Sequence, residues 1–359
     1  PVRLVVRFIL PFFYFFSFHT HLFNTYIYLY SMNWIQQYNG FLRSLRIFYF
    51  LFNLRNYKSL KRNIVLYKQF GLKKSIFSSI QYTDFEKLDS KYSNNQMKET
   101  AFNPKKLDDS FSENQQFSTS NWQKDGFMTI QNFFTEREVD SINEEMEDLL
   151  LTGKTNFNYT GRKIMQSYKY SKSVKNAFVN NKLLSVLESI MGKRVIPFHT
   201  INFFKGSEQD AHSDAFHMST FPEGNLIAVW VALEDISEDQ GPLFYYPGTH
   251  LWSQIKNGML PLEENFWRLD GNANEKYEVF AKHNLKNAGL KPSMFLPKKG
   301  DILIWHSNLI HGGMAMKNSG LTRKSLVMHY FTEGAICFHE ISQRPVVFDA
   351  QLLSELGIK

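Results

Sequence analysis

Leu226-Ile227-Ala228-Val229-Trp230-Val231-Ala232-Leu233 is an unbroken apolar run, with Pro222 and Gly224 just before it and Gly241-Pro242 just after. A run this short, closed at both ends by turn residues and rich in β-branched and aromatic side chains, reads as a strand. The same texture recurs from about residue 195 onward. Residues 197–204, 243–246, 302–305 and 326–331 are further β-rich runs, and Gly and Pro punctuate 222–225, 239–242, 247–249 and 299–301. Several short strands with such turns, following a helical lead-in, predict an antiparallel sandwich or barrel within an α+β chain.

Upstream of this region the period changes. Thr135 and Glu138 have capping-box spacing, and Val139, Ile142, Met146 and Leu149 then recur on one helical face. Residues 122–130 read as the entry to a strand. Residues 93–120, rich in Ser, Asn, Gln and charge, read as a polar linker. Residues 33–79 interleave Leu42, Ile47, Phe48, Leu51, Phe52 and Leu54 with Arg43, Arg46 and Arg55, which predicts basic amphipathic helices. Such helices suit an anionic membrane surface, yet packing against the main domain as an extension is the simpler expectation. Residues 1–30 are aromatic and apolar, but Arg7 and Pro11 interrupt them and no run of about twenty apolar residues survives to span a bilayer. The first methionine is Met32, so residues 1–31 are read as sequence upstream of the start. The expected organisation is therefore 1–31 non-native, 32–92 helical extension, 93–120 linker, 121–346 main domain and 347–359 tail.

Charge narrows the partners. The net charge is +7, but residues 1–95 hold 13 Lys and Arg against 3 Asp and Glu, which leaves residues 96–359 at −3. The positive charge lies outside the region with the chemistry, so a nucleic-acid partner is excluded and a small-molecule substrate expected. Cys337 is the only cysteine, which rules out an intramolecular disulfide and points to a reducing, cytoplasmic setting; it reads as a small buried apolar side chain.

The chemistry begins at His212-Ser213-Asp214. On a strand, side chains two apart project from one face, so His212 and Asp214 can chelate one ion. The motif alone is a weak signal in a chain with 11 His. A third ligand has to come from a distant strand: His311, in Leu309-Ile310-His311-Gly312-Gly313, or His306 five residues earlier. Two imidazoles and a carboxylate on one octahedral face leave adjacent positions open for Fe(II) to hold a bidentate co-substrate and dioxygen, space that tetrahedral zinc does not use. Arg323 stands just before residues 326–331. Its guanidinium suits a dicarboxylate, and Ser325 shares its face.

The ordered set His212-Ser213-Asp214, the strand with Trp230, Gly241-Pro242-Leu243, Pro247-Gly248-Thr249-His250, Gly300-Asp301, His311-Gly312 and Arg323 resembles the phytanoyl-CoA dioxygenase family. Lys124-Asp125-Gly126-Phe127 resembles the family's N-terminal region, and the resemblance spans residues 122–331. Thr249 stands where serine is commoner. The resemblance implies a double-stranded β-helix (jelly-roll, cupin-like) core flanked by helices, with Fe(II), 2-oxoglutarate and O2. It also implies hydroxylation with release of succinate and CO2. It makes His311, directly before glycine, the third iron ligand beside His212 and Asp214, Arg323 the anchor for 2-oxoglutarate, and Trp230 its neighbour. His217 is then a pocket wall or a surface loop, and His250 and His329 are structural. The competing readings are a jelly-roll binding protein without turnover and a cupin-type metalloenzyme that does not use 2-oxoglutarate.

Overall fold

The computed structural model describes residues 45–86, 88, 117–118, 122–158, 160–265 and 267–358. The expectations for residues 1–31 and for most of 93–120 lie outside the described residues.

Thirteen strands form three antiparallel sheets among the described residues. In chain order they are β1 (Phe117–Ser118), β2 (Phe127–Ile130), β3 (Lys163–Met165), β4 (Val195–Phe203), β5 (Ser219–Phe221), β6 (Leu226–Ala232), β7 (Leu243–Tyr245), β8 (Ser293–Phe295), β9 (Ile302–His306), β10 (His311–Gly313), β11 (Ser325–Thr332), β12 (Ile336–His339) and β13 (Arg344–Pro345). The main sheet runs β1-β2-β9-β6-β11-β4-β3, a second runs β10-β7-β8, and a third β13-β12-β5.

The opening apolar run is explained by burial on both faces of β6. Ile227, Val229 and Val231 pack against helices, whereas Ala228, Trp230 and Ala232 face Leu243 and Tyr245 of the second sheet. Strand β9 repeats the pattern, with Ile302 and Ile304 toward the helices and Leu303 and Trp305 toward the second sheet. A strand covered on both sides loses the polar alternation that a half-exposed strand would show. The covering helices include Glu136–Leu151, Lys172–Phe178 and Asn181–Met191. The first begins at the expected capping box: Glu138 donates its amide to Thr135 Oγ1 at 3.3 Å, and Thr135 donates its own to Glu138 Oε2 at 2.8 Å. Val139, Ile142, Met146 and Leu149 are its buried residues.

Two local expectations are corrected. Residues 122–130 do not enter as one strand: Trp122–Asp125 is a helical turn, and Gly126 at φ +79° reverses the chain into β2. Residues 212–214 are not a strand either. His212 makes a single bridge, and Asp214 opens the helical turn Asp214–His217. The backbone at Ser213 between them is extended (φ −111°, ψ 144°), so the same-side relation survives without a ladder.

The basic extension forms α1 (Arg46–Arg55) and α2 (Tyr57–Gln69). Beyond α2 the chain runs onto the third sheet, where Tyr82 and Phe85 cluster with Phe221, Ile336 and Phe338. No helix among the described residues is long and apolar enough to cross a membrane.

Candidate metal and co-substrate site

His212 and His311 face each other across an isolated antiparallel bridge, each donating its amide to the other's carbonyl at 2.9 and 2.8 Å. This bridge is what brings the two distant segments to one point. Close approach at Gly312 makes it possible: a Cβ there would lie 2.5 Å from the Phe244 ring and 2.7 Å from the Gln209 carbonyl oxygen, on the loop that leads into His212.

The imidazoles are oriented by their own backbone. His212 Nδ1 lies 2.8 Å from the Asp210 carbonyl and His311 Nδ1 lies 2.9 Å from the Leu309 carbonyl. With Nδ1 protonated as donor, each Nε2 keeps its lone pair for a metal. One ligand atom from each of His212, Asp214 and His311 falls within 4.8 Å of the others, and His311 Nε2 stands 3.8 Å from Asp214 Oδ1. All three side chains are buried. Desolvation pushes His212 down to about 3, so its ring is neutral at physiological pH, as ligation requires. Burial opposes ionisation of Asp214, but the imidazoles of His311, His329 and His212 outweigh it and hold the carboxyl below the usual carboxylate range.

Asp214 is held by a residue with no polar signature in the sequence. Trp305 donates its indole N–H to Asp214 Oδ2 at 2.8 Å, which leaves Oδ1 toward His311. His329, expected to be structural, lies on β11 with Nε2 only 3.5 Å from the same Oδ2, and it lines the cavity. His199, its cross-strand partner on β4, lines the cavity too. Burial keeps His199 neutral, its pKa pushed down to about 3.

Arg323 is buried just before β11. It is 2 % exposed, its amide is pinned to the Phe204 carbonyl at 3.0 Å, and its guanidinium sits 5.3 Å from the Phe203 ring and 5.8 Å from Trp230. Its Nε and the Ser325 hydroxyl have no hydrogen-bond partner among the described residues. Arg323 lines the cavity, so its buried, unmatched Nε is a donor open to an anionic acceptor. Ser325, the first residue of β11, is buried but is not among the cavity-lining residues. Desolvation pulls the guanidinium down to about 10, far enough above neutrality that it stays charged.

His212, Asp214, His311, Arg323 and Trp230 all line one cavity of 770 Å³. His306 does not belong to it. Its ring is packed against Trp122 and His250, at centroid distances of 6.3 and 5.5 Å, and its Nδ1 accepts the Asn308 amide at 3.1 Å. His217 is half-buried and lines the cavity wall, the first of the two alternatives, and His250 lies near the Gln123 carbonyl.

The family model for phytanoyl-CoA dioxygenase (PhyH) matches residues 122–325, more than half of the chain. The chain belongs to the phytanoyl-CoA dioxygenase family. The peroxisomal phytanoyl-CoA dioxygenases of Bos taurus and Homo sapiens are 23 % and 22 % identical to it over 233 residues, 58 % of this chain and 66 % of each relative. The chain thus spans slightly less than two thirds of the length of these curated relatives. Among solved structures, the non-heme alpha-ketoglutarate dependent carbocyclase SnoK from nogalamycin biosynthesis is similar at 15 % identity and a TM-score of 0.48, covering 65 % of this chain and 87 % of that one. The PhyH match ends at Ser325, so the described α1 and α2 and the strands β12 and β13 lie outside it.

Proposed function

We propose that this protein is an Fe(II)- and 2-oxoglutarate-dependent dioxygenase that hydroxylates an unactivated carbon of a small-molecule or acyl-type metabolite, releasing succinate and CO2. In this reading His212, Asp214 and His311 hold the iron, Arg323 with Ser325 binds the distal carboxylate of 2-oxoglutarate, and Trp230 walls its subsite. The two sheets facing each other across Trp230 and Leu243 support a double-stranded β-helix for the core. The lone, buried Cys337 supports the cytoplasmic reading.

One observation carries the proposal: an imidazole and carboxylate triad and a buried guanidinium with an unmatched donor open onto the same cavity. When bound, the iron supplies the oxidative chemistry on dioxygen. The residues supply position. The Asp210 and Leu309 carbonyls fix the rings, Trp305 fixes the carboxylate, and the Phe204 carbonyl fixes the Arg323 backbone beside the same cavity. A cupin that ignores 2-oxoglutarate assigns no anionic ligand to the buried, unmatched Nε of Arg323.

The test is spectroscopic. Anaerobic addition of Fe(II) and 2-oxoglutarate to the purified chain should produce a visible metal-to-ligand charge-transfer band, and Asp214→Ala should lose it. A wild-type protein that shows no band sinks the proposal.

A further inference from the structure

Helix α1 is packed with its faces reversed. Asn53 is 0 % and Tyr49 7 % exposed; the Asn53 amide donates to the Ile76 carbonyl and the Tyr49 hydroxyl to that of Ser78. The opposite stripe is apolar and faces water: Ile47 is 63 % exposed, Phe50 47 %, Leu51 52 % and Leu54 54 %. These positions have i, i+3, i+4, i+7 spacing, which elsewhere marks the face a helix buries. Phe50 is partly occupied by a stack on Phe77, and the other three offer their side chains outward. Trp267, 72 % exposed, joins the patch at the start of the helix, where the Arg46 amide donates to its carbonyl at 3.0 Å.

Charge identifies the occupant. Residues 46–69 contain six Arg and Lys and no Asp or Glu. Arg55, Lys58, Lys61 and Lys68 are exposed, the last three on the outer face of α2, whose inner face buries Leu60, Asn63, Leu66 and Tyr67. An apolar stripe bordered by cations, with a tryptophan at one end, matches the boundary of a bilayer, where acyl chains meet anionic headgroups. A second copy meeting the same face would bring like charges together. We propose that α1, α2 and Trp267 form a docking surface for membranes that carry anionic headgroups. The protein would bind peripherally, with Ile47, Leu51 and Leu54 entering the interface and Arg55, Lys58 and Lys61 contacting headgroups.

Vesicle flotation of the full chain tests this, using phosphatidylcholine vesicles with and without phosphatidylserine. The expected result is binding to the anionic vesicles that weakens as salt rises. Leu51→Asp/Leu54→Asp should reduce that affinity by at least about tenfold, and Lys58→Gln/Lys61→Gln should reduce it and flatten the salt dependence. Both pairs are exposed, so an unchanged melting temperature and unchanged succinate formation confirm that the fold is retained. Equal binding to neutral vesicles, or no binding by the wild type, overturns the proposal. So does loss of a dimer in the Leu51→Asp/Leu54→Asp variant without vesicles, which would make a second copy the occupant. A rise in hydrogen exchange across residues 1–44 in that variant would make the preceding chain the occupant, and likewise overturn it.

Discussion

Arg323 carries two opposed free energies, and a substitution separates them. A charged guanidinium at 2 % exposure, with Nε unmatched, is a cost to the unliganded fold that the co-substrate's carboxylate offsets when it binds. Arg323→Met keeps much of the volume and removes the charge. The ligand-free variant should be more stable than the wild type by on the order of 1–3 kcal/mol and so melt higher. Its 2-oxoglutarate KM should rise about a hundredfold, since a bidentate charged pair contributes roughly 3 kcal/mol. Thermal melting and succinate release check the two halves, and an unchanged KM would remove Arg323 from the co-substrate. Trp305→Phe makes a finer test: packing is largely kept, but Asp214 Oδ2 loses its indole donor. Iron affinity, read by anaerobic titration, should fall about 10- to 100-fold. The sequence exposes Arg323 because guanidinium chemistry is specific, although its burial is decided by tertiary packing. It hides Trp305 and His329 because a tryptophan in an apolar strand, or a histidine within residues 326–331, gives no local sign of what lies opposite.

At the scale of elements, the apolar runs read as strands became β4, β6, β7, β9 and β11, and the capping box located the helix at Thr135 to the residue, whereas the short β3, β5, β8, β12 and β13 were not read. Another strand not read was β10, a three-residue strand whose existence depends on its partners. Its Gly312 and Gly313 look like a flexible turn in the sequence, yet they admit the 207–209 loop against the strand. Gly312→Ala should therefore act on the site from outside it. The added methyl has to displace the Phe244 ring and the Gln209 carbonyl, costing about 1–3 kcal/mol. It also prises His212 from its bridge to His311. The expected outcome is a lower melting temperature together with weaker Fe(II) binding. Normal iron affinity in a destabilised variant would show that the bridge does not set the ligand geometry.

At the scale of the whole molecule, the extension that the sequence shows as basic helices is joined to the domain by a buried carboxylate. Glu340, 1 % exposed, accepts the Tyr82 amide at 3.0 Å and the Asn257 amide at 3.3 Å, while its own carbonyl accepts from Asn257 Nδ2 at 2.9 Å. No local pattern could reveal this, because Tyr82 and Glu340 meet only in the folded chain. Burial is the largest cause of its shift and raises Glu340 from 4.5 to about 7, against the pull of those amides. Below pH 4.5 the side chain is protonated in both the folded and the unfolded chain. Between pH 4.5 and 7 the unfolded chain gives up its proton while the folded chain keeps it, so stability falls as pH rises, by on the order of 3 kcal/mol in total, and levels off above 7. Glu340→Gln resembles the protonated carboxyl and cannot titrate. Desolvated imidazoles such as His199, pushed down to about 3, act in the opposite sense, losing stability as pH falls below 6.5, but they are common to both proteins and cancel in the comparison. The melting temperature of Glu340→Gln relative to wild type should therefore climb by several degrees between pH 5 and pH 8.5. A difference that stays flat over that window would mean that Glu340 is ionised throughout, and that the extension is held at neutral pH by a charge rather than by a neutral acid.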